Sequence, residues 1–409
     1  MHPDWPESDA DLVPLPQCLG PKLKPFDFLG PQKINFLEYL GQGLHSFVFK
    51  VEILGHIYAL KLFRFDYVDE WIGTAETFDK NDTIALNVMY NYSEAFNCEC
   101  RSFGRLQEAG YEELAVKCFG YLLLDEEHER IMMDKFSHVD LEFNGNVYDS
   151  GCDDVRASFT GKSGRPPPIR GIVKEFGSEA KNLKTKDMRK VLQDIKRFHQ
   201  LGIIGLDVAD RQLINGKLCD FSTAITVPHF ITTPELSPYL PPVAPPAMAY
   251  ETFLITIHDY WAFDDMVGLW NEEHEDQKTE IAVRAFPSGH GCRIDYNLRS
   301  TPSRDRVYTF VDPRKYNWKA SGASPEPATS RTRHGPRTRQ STKSCNATNS
   351  RGATSKPRVR LDNWPPRWYF DCSKQMAAYL KQKTDFAYKL RWHANNGLIY
   401  PMPVVVGGR

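Results

Sequence analysis

Lys61 sits in "YALKLF", an apolar run with the look of a β-strand, where an ammonium is costly to bury unless an anion accompanies it. Glu99, on the next helical segment, is placed to be that anion. Far downstream, "GLDVADRQLINGKLCDFS" (205–222) carries two aspartates, Asp207 and Asp220, on either side of a short turn. Upstream of the lysine, Gly41 and Gly43 sit between strand-like runs in "GQGLHSFVF". A glycine hairpin, a lysine, a glutamate and two aspartates, in that order, are the parts from which a phosphoryl-transfer site is built. Plainer readings stand beside each part. A Gly-x-Gly between strands is more often a simple turn, and a lysine on an edge strand can snorkel to water.

These residues must be positioned by elements that the pattern makes legible. "FLEYLGQGLHSFVFKVEILGHIYALKLFRF" predicts three strands broken at Gly41–Gly43 and at Gly55. "SEAFNCECRSFGRLQEAG" predicts a helix with Phe96, Phe103 and Leu106 on one face and Gly110 as its stop. "AVKCFGYLLL" and "RGIVKEFG" predict two more strands. Residues 66–92 read as a polar insertion, and 125–168, ending in a proline triplet, as a partly ordered loop. "TKDMRKVLQDIKRFHQLG" sets Met188, Val191, Leu192, Ile195 and Phe198 on one helical stripe with Gly202 after it. "HDYWAFDDMVGLWNEEH" predicts a second strong helix, and 373–391 a third that docks back on the body.

The organisation expected is an irregular arm (1–33), a β-rich part (34–177) with inserts at 66–92 and 125–168, a helical part (178–318), a basic linker (319–360) and a C-terminal segment (361–409). The linker holds ten Lys or Arg against one acid, Glu326, while the whole chain sums to −1, so the remainder is acidic. With no aromatic between Trp318 and Trp364 the linker lacks the apolar surface to order itself. Its charge suits contact with nucleic acid, and equally a solvated tether. The 41% hydrophobic and 12% aromatic content is ample for a packed core elsewhere. Nine cysteines with no repeated CxxC read as free thiols of a reducing compartment, nucleus or cytoplasm. The acidic, proline-containing start is not a signal peptide, and no apolar run reaches the roughly 18 residues of a membrane span.

Over residues 34–275 the chain resembles the eukaryotic protein-kinase fold. More closely it resembles a fungal family named for an inner-kinetochore subunit, the Sim-four complex Fta-two subunit, through the phrases "FLEYLGQGLHSFVFKVEILGHIYALKLFRF", "FNCECRSFGRLQEAG", "LAVKCFGYLLL", "IRGIVKEFG" and "DFSTAIT". The kinase resemblance implies an α+β, bilobal fold with a small β-rich lobe bearing one helix and a larger helical lobe. It implies that Gly41 and Gly43 cover the nucleotide phosphates, Lys61 contacts them and pairs with Glu99, and Glu175, Phe176 and Gly177 form the adenine hinge. Asp207 would then orient the substrate hydroxyl, Asp220 would hold magnesium, and Asp259 in "DYWAF" would anchor the catalytic loop unless it is simply a solvated helix acid. ATP and Mg²⁺ are the cofactors this implies.

Several letters depart from that pattern. Gly205-Leu206 replaces the His-Arg before the catalytic aspartate, which removes the phosphate-sensing arginine and makes activation by loop phosphorylation unexpected. Ala209 stands where a catalytic lysine is usual, and Arg211 can supply that charge. Gln212 stands where an asparagine holds the second magnesium, and its carbonyl lies one C–C bond, about 1.5 Å, further out. Magnesium wants ligands near 2.0–2.1 Å in octahedral geometry, so the change matters. Ser222 replaces a glycine that readily takes φ > 0. Asn215-Gly216 suits a two-residue hairpin, so the short spacing between Gln212 and Asp220 is a trimmed turn. The expectation is a pseudokinase-like binding or scaffold module with protein partners that retains a nucleotide cleft. An active ATP/Mg-dependent phosphotransferase is the first alternative, and a chromatin-associated structural protein using its basic linker is the second.

Overall fold

The computed structural model describes residues 1–68, 71, 83–145, 154–179, 182–236, 244–275, 280–286, 308–309, 311–321, 358–369, 390–395 and 398–403. Five antiparallel strands make its framework: β1 (Asn35–Gln42), β2 (Ser46–Ile53), β3 (His56–Phe63), β4 (Cys118–Leu123) and β5 (Arg170–Glu175). Their spatial order is β1-β2-β3-β5-β4. Leu54 and Gly55 close the β2–β3 hairpin with φ of 53° and 76°, the positive values a two-residue turn needs. Because β5 lies between β3 and β4, its residues sit beside those of β3, with Lys61 opposite Ile172 and Ala59 opposite Lys174. The two-residue period of a strand then sorts the side chains. Lys61 and Phe63 share one face with Arg170, Ile172 and Lys174, while Leu60, Leu62 and Val173 point to the other.

Both faces are covered. On the second, Met132 of α3 (Glu126–Lys135) and the following Phe136, Leu141 and Phe143 pack on Phe36, Phe49, Leu60 and Val173. The loop expected over 125–168 is thus ordered sequence with its own helix. The helix escaped the pattern because only His128 and Met132 in it are buried. Its start is marked instead by Asp125, whose side chain accepts from the His128 N–H at 2.8 Å, and by three acids in the first turn. The polar insertion expected over 66–92 is likewise corrected in part. Residues Thr83–Ser93 form α1, and Met89, Tyr90 and Tyr92 join Trp71 in a small core with Phe230 and Ile231. Irregularly spaced aromatics concealed that helix.

The first face of the sheet carries α2 (Ala95–Ala109), capped by the Glu94 side chain at one end and by left-handed Gly110 at the other. The helix is enclosed on nearly every side. Arg170 of β5 pairs with Glu94 at 2.7 Å with both side chains essentially inaccessible to water. The arm, residues 1–33, has little regular structure but runs tightly over α2. Leu23 is fully buried, and a Cβ on Gly104 would meet the Lys22 backbone at 2.6 Å. The Phe26 N–H continues the sheet edge by donating to the Tyr121 carbonyl at 2.7 Å.

The helical part is built on α4 (Thr185–Gln200) and α5 (Ala244–Glu273). The five stripe residues of α4 are all buried. The helix expected from His258 starts much earlier, at Ala244, because Pro245 and Pro246 fall in its first turn, where no intrahelical N–H is lost. Short pairs, β6 (Ile203–Ile204) with β9 (Ile225–Thr226) and β7 (Leu213–Ile214) with β8 (Lys217–Leu218), hold the loops between α4 and α5. One core runs through both parts, joining Phe96 and Phe103 of α2 to Phe198, Phe221 and Tyr260. The architecture is mixed α+β and compatible with two lobes. Two other expectations meet the boundary of the described residues. Most of the basic linker, 322–357, lies outside them, as do 373–389 of the third helix. Leu390 and Arg391 belong instead to a strand, Leu390–Asn395, paired with Leu398–Pro403.

His229, just after β9, has both ring nitrogens committed in the buried interior. Its Nδ1 accepts from the Ile231 N–H and its Nε2 faces the Tyr92 carbonyl, each at 3.1 Å, which fixes a neutral ring with the proton on Nε2. Burial, reinforced by the Arg101 charge, holds its pKa well below the usual histidine value. The unfolded chain therefore binds the extra proton first, and stability falls as pH drops below about 6.5. The expected slope from this one residue is up to about 1.4 kcal/mol per pH unit between pH 6.5 and 5. Urea midpoints across that range measure it, and His229→Gln should flatten the slope by about that amount.

Candidate functional site

The ammonium of Lys61 is 4% exposed and held between two carboxylates. Its Nζ donates to Glu99 Oε2 at 2.8 Å and to Asp220 Oδ1 at 2.6 Å. Burial works against the charge, but the two carboxylates outweigh it and raise the lysine pKa. Asp220 moves the opposite way: burial opposes its charge, yet Lys61 and Lys174 drive its pKa far below the usual carboxylate range. Glu99 is fully buried on α2, behind the lysine. Its other oxygen meets Lys174 of β5, whose Nζ also donates to the Cys219 carbonyl at 2.7 Å. Two lysines and two acids from four separate elements thus form one neutral cluster.

A cleft of about 640 Å³ opens in front of this cluster. Gly41 and Gly43, at the β1–β2 turn, line its roof with His45, and Gly41 has φ of 140°, a value that favours glycine. Glu175, Phe176 and Gly177 line its rear. Gly177 permits a close approach, since a Cβ there would lie 2.4 Å from the Asn215 amide nitrogen. Asn215 and Gly216, with φ of 52° and 70°, make the expected tight turn between β7 and β8. The Asn215 N–H donates to the Ser178 carbonyl at 3.0 Å, which ties that turn to the segment after β5.

Asp207 lines the same cleft without touching Lys61, Glu99 or Asp220. Both its oxygens accept from Arg211 Nη2, each at 2.8 Å, and Oδ2 also accepts from Gln212 Nε2 at 2.5 Å. Gln212 therefore turns its amide nitrogen, not its carbonyl, toward this acid, and its Oε1 is buried without a hydrogen-bond partner. Ser222 donates its N–H to Asp220 Oδ1 at 2.9 Å and has no positive φ, so the missing glycine costs this turn nothing. Phe221 packs edge-on between Phe103 and Phe198.

Asp259 is buried, and it anchors a loop. It accepts from the Gly205 and Leu206 N–H groups, both at 2.7 Å, and pairs with His199 Nε2 at 2.8 Å. The turn puts Leu206 at φ 64°, a strained value that these bonds hold in place. His199, from the last turn of α4, braces this anchor, with its Nδ1 also 2.8 Å from the Tyr260 hydroxyl. It was not anticipated, nor was Lys174. Lys174 carried the same signal as Lys61, a lysine inside the apolar strand "RGIVKEFG".

The class defined so far is an α+β chain whose cleft is backed by a buried lysine–carboxylate cluster. The family follows from comparison: the model of the kinetochore Sim4 complex subunit FTA2 family matches residues 12–225, just over half of the chain. The chain belongs to that family. The match takes in the arm from residue 12, the sheet, α2, α4, Lys61, Asp207 and Asp220, and stops short of Asp259. A comparison with curated proteins found no match.

The two acids differ in what they cost. Lys61→Met removes a buried partner from Glu99 and Asp220 at once, and a loss of about 3 kcal/mol is expected in urea denaturation. Adding Asp220→Asn should cost less than it does alone, because the two residues act as a pair. Asp207→Asn should cost less than about 1 kcal/mol, since Arg211 is 67% exposed and its pairing is weakened by water.

Proposed function

We propose that this chain is a kinase-fold binding module, pseudokinase-like, that serves as a protein scaffold in an assembly of the inner-kinetochore type. Family membership supports protein partners and a nuclear setting. The kinase-like reading is supported by the convergence of Lys61, Glu99 and Asp220 on one cleft, by the hinge-like segment 175–177 and by the loop anchored on Asp259. In it the sheet with α2 is the small lobe, and α4 with α5 the core of the large one.

The observation that carries the non-enzymatic reading is the state of the two aspartates. Phosphoryl transfer needs one to receive the substrate hydroxyl and the other to hold magnesium. Here Arg211 bridges both oxygens of Asp207, and Lys61 with the Ser222 N–H occupies one oxygen, Oδ1, of Asp220. The residues do not fit magnesium as they stand. Gln212 spends its NH₂ on Asp207 and leaves only its carbonyl oxygen unpartnered, and among the described residues no three His, Cys, Asp or Glu side chains converge as a cation site. An active phosphotransferase would require both ion pairs to open in every cycle. The surviving cleft and the Lys61–Glu99 pair favour the narrower possibility that a nucleotide still enters.

Two measurements test this. A fluorescent fusion of the full chain is expected to concentrate at centromeres and to co-purify with inner-kinetochore proteins; diffuse signal with no such association would sink the scaffold role. Purified chain with ATP and Mg²⁺ is expected to release no more phosphate, and to label itself no more, than its Asp207→Asn variant. Turnover that depends on Asp207 would make it an enzyme.

A further inference from the structure

We infer that the cleft is a nucleoside di- or triphosphate site that works without a divalent cation, with His45 and Lys61 as its phosphate donors. Both aspartates of this cleft already have a cation and an N–H of the chain's own in place. Lys61 Nζ lies 2.6 Å from Asp220 Oδ1, where a magnesium ion would have to displace it, and Gln212 turns its NH₂ to Asp207. Magnesium sheds its water reluctantly and needs oxygen ligands in strict geometry, so displacing a buried ammonium from a single carboxylate is unfavourable. Phosphate oxygens, by contrast, need only N–H groups and positive charge.

The cleft offers both. Lys61 has three N–H bonds and spends two of them on Glu99 and Asp220, leaving one. His45 lies in the glycine turn that roofs the cleft, with its ring 14% exposed. Its Nδ1 is 2.8 Å from Asp66 Oδ2, which leaves Nε2 as a second N–H when the ring is protonated. The charged groups around that ring are Asp66 after β3, Lys61 on β3 and Asp220 after β8, with Arg64 beside Asp66. Burial disfavours the imidazolium and Lys61 opposes it, but the hydrogen bond and charge of Asp66, helped by Asp220, raise its pKa above the usual value. A raised pKa extends upward the pH range over which the donor is charged, and the charge is lost as pH rises through the folded value. The adenine-side frame is the backbone of 175–177, and the backbone N–H of Gly43 is already bonded to Ser46, so the roof contributes the histidine rather than a cradle of free amides.

This site is the cleft of the function proposed above, and its test separates from that one: centromeric association without nucleotide binding removes the site and leaves the scaffold. Isothermal titration of the full chain with ADP and with ATP, in EDTA and again in MgCl₂, reads it directly at pH 6.5 and pH 9. Affinity in EDTA within about twofold of that in MgCl₂ is expected, together with a weakening of about tenfold from pH 6.5 to 9, the size of one lost charge-assisted hydrogen bond. His45→Gln should bind about tenfold more weakly at pH 6.5 and lose the pH response, while its urea midpoint reports that it is folded. Inorganic tripolyphosphate serves as a second ligand, and weaker binding than ATP is expected because the hinge is left empty. Binding only in MgCl₂, an unchanged pH response in His45→Gln, tripolyphosphate binding as tightly as ATP, or no binding in either buffer overturns the inference.

Discussion

A primary ammonium shut away from water has to be surrounded by anions, and much of this fold is arranged around that need at Lys61. Its partners lie 38 and 159 residues away in the chain, on α2 and in the turn after β8. For both carboxylates to reach it, α2 must press on the sheet, and the β7–β8 hairpin must be short enough to bring Asp220 back. Once Glu99 is buried for this purpose it has a second oxygen to satisfy, and Lys174 on the neighbouring strand meets it. That lysine in turn fixes the Cys219 carbonyl, one residue before Asp220. The cluster closes on itself, and each member would be a buried uncompensated charge without the others.

The position of α2 is therefore critical, and guanidinium groups secure it. Arg101 donates to the Leu19 carbonyl of the arm at 2.9 Å, to the Thr226 carbonyl of β9 and to the Pro228 carbonyl just beyond it. One turn on, Arg105 donates to Leu201 at 2.9 Å and to Val227 at 2.6 Å. Carbonyls left over at the ends of α4 and β9 thereby receive the partners that buried backbone groups require. The arm, which has almost no regular structure, is fixed by the same side chains and by contact too close for any residue but glycine at position 104. Moving α2 would unpair two buried guanidiniums and expose Lys22–Phe26. A helix so held is a poor switch and a good platform, which agrees with the scaffold role proposed here.

What the sequence made legible follows from which physics leaves a periodic trace. The five strands, α2, α4 and the Asn-Gly turn were readable because apolar spacing and turn chemistry are local. Helices α1 and α3 were not, since one buries irregularly spaced aromatics and the other buries only two residues of ten. The arm looked unstructured because its order comes from backbone contacts with α2 that no pattern within residues 1–33 encodes. At the site, Lys61, Glu99, Asp207 and Asp220 could be named from their order in the chain. Their pairing state could not. That Arg211 forks Asp207, or that Gln212 presents nitrogen rather than oxygen, depends on side-chain geometry after folding. The role of His199 was hidden for a related reason: its partners, Asp259 and Tyr260, lie about sixty residues on in a different helix, so nothing along α4 signals the pairing.

The pairing state also bears on why such a cleft can persist in a scaffold. A site that works on magnesium and phosphate holds carboxylates close together and incompletely paired, and that repulsion is a cost the apo fold must carry. In this chain Asp207 and Asp220, the two acids such a site would leave open, are met by Arg211, Gln212 and Lys61 of its own, so the empty cleft carries less of that cost. Folding then needs no ligand, and the surfaces offered to partners do not wait on one. Of the changes that look like damage in a catalytic loop, Arg211 and Gln212 are the ones that occupy Asp207 while the cleft is empty.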